Sequence, residues 1–120
     1  LFRSRPFAVE GSTGAAVVSE IAPLPGEFII PKVRMSAFIG TELDLILRNL
    51  GIDCLVVTGI QTPNCIRTTV FDAIADNYPV VLIEDATGAQ NDEIQRNNLR
   101  DIANIGITVT KAEDLIGMLG

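Results

Sequence analysis

Downstream of Gly40 the apolar residues of the chain fall into two alternating rhythms. Leu43, Ile46, Leu47 and Leu50 recur at i, i+3, i+4 and i+7, which is one stripe of a helix. Thr41 stands before it as N-cap, Glu42 and Asp44 fall in its first turn, and Gly51 lies just past its end. Cys54–Val57 is then a continuous apolar run, the pattern of a strand covered on both faces. A polar loop over 59–64 leads to a helix over 65–77, with Ile66, Val70, Ala73 and Ile74 on one side. Val80–Ile83 reads as the next buried strand, ending at Glu84-Asp85, and 86–90 as a loop. A helix over 91–105 follows, with Ile94, Leu99, Ile102 and Ile105 inward and Gly106 as its stop. Ile107–Val109 is a last short strand and 111–119 a last helix.

Upstream of Gly40 the pattern is less regular. Residues 1–11 read as an extended lead-in. Ser12-Thr13-Gly14 is a helix start and 14–21 a short helix, stopped by Pro23, Pro25 and Gly26. Phe28-Ile29-Ile30 begins a strand that contains Pro31, which confines it to a sheet margin. Lys32 falls at that strand's carboxyl end, and 33–40 is a loop.

Strands alternating with helices imply βαβ units with right-handed crossovers and a largely parallel sheet. In such sheets ligands bind beyond the carboxyl ends of the strands. Lys32, the loop before Cys65, and Glu84-Asp85 all fall at such ends, and this convergence is the main sequence argument for a site.

Composition narrows the class. The 120 residues suffice for one domain with a real core, and 48% of them are apolar with a mean hydropathy of +0.36. No apolar run reaches the roughly 20 residues of a membrane span, so no membrane partner is expected. The first residues have no long apolar h-region, and the absence of a starting Met suggests a trimmed chain. A net charge of −6 argues against a nucleic-acid partner and fits a cytoplasmic surface. Cys54 and Cys65 flank a strand that spans roughly 17 Å, too far for an easy disulfide, so two free thiols are expected. With no histidine, neither a Cys-His pair nor a histidine-rich metal site can be built, and no cofactor is expected.

The candidate chemistry centres on Cys65. A helix start offers unpaired N–H groups and a positive dipole end, which favour the nucleophilic thiolate. A lone cysteine is more often a small buried hydrophobe, and Cys54, inside an apolar run, fits that bland role. Thr62 and Asn64 suit loop formers that cap the helix at Cys65, and Asp72 and Asp85 suit groups that bond backbone and position loops.

Six segments carry a resemblance. They are Gly11–Gly14, Lys32-Val33-Arg34-Met35-Ser36-Ala37-Phe38, Gly40–Leu43, Gly59-Ile60-Gln61-Thr62-Pro63-Asn64-Cys65, Thr69–Ala73 and Glu84–Thr87. In this order and spacing the chain resembles the isochorismatase-like cysteine hydrolases, in their nicotinamidase-like branch. The resemblance implies a three-layer α/β/α sandwich with a parallel, Rossmann-like sheet of strand order 3-2-1-4-5-6. It makes Phe28–Lys32 strand 3 and the three later strands 4, 5 and 6. It implies a triad of Asp, Lys and Cys, of which Lys32 and Cys65 are the last two. The aspartate would precede Leu1, so residues 1–120 are expected to be such a domain, N-terminally incomplete. It further implies a cis peptide between Ile60 and Gln61, an oxyanion hole from the N–H groups of Gln61 and Cys65, and a substrate pocket that Phe38 and Thr62 could line. Nicotinamidases of the family carry an Asp/His zinc site in the early half, which this chain cannot supply, so no metal is assigned.

The function expected on this resemblance is hydrolysis of a small-molecule amide or related C–N bond through a thioester, by a homo-oligomer. Two alternatives stand beside it: isochorismate-type vinyl-ether hydrolysis, and a truncated or inactive homologue serving as an interaction module.

Overall fold

A computed structural model describes residues 9–120, so the lead-in expected over 1–8 lies outside the described residues. Four helices and three strands follow one another in it: α1 (Leu43–Asn49), β1 (Leu55–Ile60), α2 (Arg67–Ala75), β2 (Val80–Gly88), α3 (Asp92–Asn104), β3 (Thr108–Thr110) and α4 (Ala112–Leu119). The strands form one parallel sheet in the order β1-β2-β3, flanked by helices. That is the parallel α/β architecture read from the sequence, with β1, β2 and β3 in the places of strands 4, 5 and 6.

The helix ends follow from local chemistry. After α1, Gly51 sits at φ +66°, and the N–H groups of Gly51 and Ile52 donate to the carbonyls of Arg48 and Leu47. This is a Schellman close, which uses carbonyls the last turn leaves unpaired. The same close ends α2, with Asn77 at φ +67° and Tyr78 N–H donating to Ala73 O at 2.9 Å. Asparagine serves there because its short polar side chain tolerates the left-handed region. At the other end of α3, the Asn91 side chain accepts from Ile94 N–H at 2.9 Å.

The core lies where α2 and α3 meet β2. Val70, Ala73, Leu82 and Ile102 have no exposed surface, and Ile66, Tyr78, Val80 and Ile107 close around them. Phe38, Leu47 and Leu99 pack against this cluster from the margin.

Several expectations change. Residues 14–21 form no helix but two single 3₁₀ turns, Thr13–Ala15 and Ser19–Ile21, and no residue of either is buried. A short helix in water needs an apolar face to bury, and among the described residues this segment buries none. Phe28–Lys32 is extended but pairs with no strand among the described residues. Pro31 removes one ladder donor, and among the described residues β1 pairs only with β2.

β1 begins at Leu55 rather than Cys54, and alternates between half-buried and exposed positions, with Val56 51% exposed. Among the described residues only one of its faces is therefore covered, whereas the apolar run predicted two. For the same reason Cys54 is exposed, not buried. Ile74 and Ile105, expected inward, lie at helix margins and are exposed.

β2 runs past Glu84-Asp85 to Gly88. Val57 faces Leu82 and Gly59 faces Thr87, so the β2 side carries extra residues between these pairs. Glu84 and Asp85 sit in that irregularity rather than at the strand's end. There the Asp85 carboxylate accepts the N–H of Ala112, the first residue of α4, at 2.9 Å. A carboxylate on this end of a helix meets unpaired N–H groups and the positive dipole end.

Candidate active site

Cys65 is carried by the connection from β1 to α2. Residues Thr62–Ile66 form one wide π-type turn that runs directly into α2. Such turns replace the usual i→i−4 bond by i→i−5. Here Ile66 N–H donates to Gln61 O at 3.2 Å, and Asn64 N–H donates to the same oxygen at 3.0 Å. Gln61 is thus the hinge of the turn, and the peptide between Ile60 and Gln61 is cis. The Thr68 hydroxyl donates back to Asn64 O at 2.8 Å, tying the turn to the first residues of α2. Cys65 itself is half-buried, with its thiol free.

Lys32 comes to this thiol from 33 residues upstream. Its Nζ lies 3.2 Å from Cys65 Sγ, 2.8 Å from Arg34 O and 3.1 Å from Met35 O. An ammonium has three N–H donors, so two carbonyls and one sulfur use all three. The two carbonyls fix the direction of the third, which points at sulfur.

What holds the lysine segment against α2 is a bond that the sequence pattern does not announce. Ala37 N–H donates to Thr69 Oγ1 at 2.9 Å, one turn beyond Cys65. Ser36, buried beside it, accepts from Phe38 N–H at 3.2 Å, and Thr41 Oγ1 donates to Ala37 O. The stretch from Lys32 to Thr41 is therefore ordered by side-chain bonds rather than by a ladder. Thr69 belonged to a matching family segment, but only the structure shows which donor it satisfies.

The other candidates are distributed as follows. Of the two residues expected to form an oxyanion hole, Cys65 lies inside the turn and Gln61 is the extended residue that caps it. Thr62 is fully buried, and its hydroxyl has no hydrogen-bond partner among the described residues. The Phe38 ring packs toward the core, 6.0 Å from the Tyr78 ring. A groove of about 490 Å³ runs between Arg34, Met35 and Ile39 and the Arg67, Thr68 and Phe71 face of α2, and neither Phe38 nor Thr62 lines it. Arg67 bonds Asn98 at 3.0 Å and Asp101 at 3.2 Å, with its guanidinium over the Phe71 ring, so it links α2 to α3. Among the described residues no carboxylate hydrogen-bonds Cys65 or Lys32, and no cluster of three metal-ligating side chains occurs. The residues present therefore do not fit the zinc site of the nicotinamidases.

The parallel sheet thus delivers a cysteine on a turn at a strand's carboxyl end, with the Lys32 side chain against its sulfur. The family model described as the isochorismatase domain matches residues 2–114, and the chain belongs to that family. A relative from Arabidopsis thaliana, named a "probable inactive nicotinamidase", is 45% identical over 101 residues, 82% of this chain and 52% of that protein. The crystal structure of an isochorismatase family protein from Desulfovibrio vulgaris superposes with a TM-score of 0.87 at 42% identity, over 91% of this chain and 57% of its own. N-carbamoylsarcosine amidase from Thermoplasma acidophilum does so with a TM-score of 0.79 at 34% identity, over 89% of this chain and 61% of its own. The chain thus spans about half the length of the curated relative and about three fifths of these structures.

Proposed function

We propose that the protein is a cysteine hydrolase that cleaves a small-molecule amide or related C–N bond. The observation that carries this reading is the approach of Lys32 Nζ to 3.2 Å from Cys65 Sγ. An ammonium with its other two N–H groups committed to carbonyls is a fixed donor to a thiolate, the form in which cysteine attacks. In the proposed reaction Sγ forms a bond to the carbonyl carbon, and the carbonyl electrons move to oxygen. The N–H groups of Gln61 and Cys65 are assigned to that oxyanion. Collapse breaks the C–N bond, and the amine leaves with a proton. Water then attacks the thioester, releasing the acid and restoring the thiol. Proton transfer between thiol, amine and water calls for a third group, which the family resemblance gives as an aspartate.

The test is mass spectrometry of the protein mixed rapidly with a panel of small primary amides, beside steady-state turnover. An acyl adduct on the Cys65 peptide, absent in Cys65→Ala, supports the reading. Lys32→Met should lower turnover by about a hundredfold, the scale of a positioned proton-transfer group. Turnover that survives Cys65→Ala would sink the mechanism. A second reading, a homologue without hydrolase activity, is favoured by the name of the Arabidopsis relative. It predicts no adduct and no turnover on any amide of the panel.

A further inference from the structure

The geometry points to Gln90 as a positioning residue for the reaction, acting through Gln61; this rests on the amidase reading above. Gln90 lies between β2 and α3, 29 residues from Gln61, and its Nε2 donates to Gln61 Oε1 at 2.7 Å. The same oxygen accepts from Asn64 Nδ2 at 3.2 Å. Gln61 is therefore gripped at both of its carbonyl groups. Its backbone oxygen takes the N–H groups of Asn64 and Ile66, and its side-chain oxygen takes two carboxamides. Three of these four bonds are internal to the turn and would move with it. Of the four, only the Gln90 bond ties Gln61 to a part of the fold outside the turn.

That tie has a direction. The turn and its cap residue carry the two groups assigned to the oxyanion, and oxyanion donors count only when they are aimed before the charge develops. A brace from the β2–α3 connection holds Gln61 in relation to the sheet rather than to Cys65 alone. Gln90 is exposed, so its bond adds little to folding stability, and its effect falls on the orientation of the turn. The required chemistry is a donor at position 90, because Gln61 Oε1 is the acceptor and already faces Asn64.

The test compares Gln90→Glu, which keeps the shape and removes the donor, with Gln90→Lys, which keeps a donor. Turnover and hydrogen exchange of the peptide spanning 61–66 are measured in both. Gln90→Glu should lower kcat about fivefold, the weight of one hydrogen bond, with KM unchanged and faster exchange over 61–66. Gln90→Lys should recover most of both. Unchanged kcat and unchanged exchange in Gln90→Glu would overturn the inference while leaving the amidase reading intact. If the wild-type protein turns over no amide, the amidase reading fails. The exchange measurement then decides alone: faster exchange in Gln90→Glu supports the brace, and equal exchange refutes it.

Discussion

Residues 9–42 and residues 43–120 are similarly apolar to the eye, yet they are built in different ways. The later region holds every strand and every α-helix described, and all of the buried core cluster. The earlier region holds two 3₁₀ turns, and its only buried residue is Ser36. Val18, Ile21, Leu24, Phe28, Ile29 and Val33 are each at least 60% exposed. Apolarity alone does not make structure; a segment also needs a surface to bury itself against or a ladder to join. The candidate site straddles this divide. Cys65 is seated by the folded region, while Lys32 belongs to a stretch ordered by side-chain bonds.

The sharpest way to break the comparison is to cut the same kind of side chain from each region. Leu82 has no exposed surface and sits at the centre of the core cluster, whereas Ile29 is 73% exposed. Leu82→Ala should cost about 3–4 kcal/mol, from lost transfer energy and the cavity left behind. Ile29→Ala should change stability by less than about 0.5 kcal/mol. Urea unfolding followed by circular dichroism measures both. Comparable losses for the two would show that the 9–42 segment is packed in solution against something the described residues do not include.

The seam between the regions is the next target. Thr69→Val keeps the shape of the side chain and removes the acceptor for Ala37 N–H. An unpaired amide in this half-buried setting should cost roughly 1–2 kcal/mol. Turnover should fall further than that loss of stability explains, because the bond also places the segment that carries Lys32. Equal turnover at a temperature where both proteins are folded would show that Lys32 reaches Cys65 without this anchor.

These two regions also explain what the sequence disclosed. From Leu43 onward the helices carry local signals, so the apolar stripe of α1 with its stop at Gly51 and that of α3 with its stop at Gly106 could be read locally, while the Asn91 cap of α3 came from the structure. Phe28–Ile30 misled because it has strand composition, while a strand also needs a partner, which composition does not report. β2 was cut short at Glu84-Asp85 because two acids look like a loop, although they occupy an irregularity within the strand. Lys32 and Cys65 were picked out by family motif and by strand-end logic, not by any period. Gln90 was legible in neither way, and Thr69, though inside a matching segment, carried no sign of its bond. Each acts through one bond that spans about thirty residues, and no local pattern encodes such a bond.

The smallest expected effect lies inside the better-ordered region, where Tyr78 joins α1 to the core. Its hydroxyl donates to Asp44 Oδ1 at 2.8 Å, and the Arg48 guanidinium lies 5.0 Å from its ring. Burial, then the Asp44 carboxylate, push the Tyr78 phenol above its ordinary value of 10.0. The Tyr78 bond, with help from Arg48, holds Asp44 below its ordinary 3.8. The signs run in opposite directions. A phenol raised by folding contributes stability that is complete below about pH 10, where the unfolded tyrosine ionises, and is lost as pH rises through the folded value. A depressed carboxylate contributes stability that is present above about pH 4 and is lost as pH falls through the folded value. Since the chain has one tyrosine and no tryptophan, ultraviolet absorbance of tyrosinate reports Tyr78 alone. Its midpoint should lie above 10 in the wild-type protein and move downward in Asp44→Asn, which removes the charge that disfavours tyrosinate. A midpoint that moves upward, or not at all, would show that Asp44 does not hold the phenol in solution, and that α1 is tied to the core by packing and by the Arg48 bond to Asp76 O.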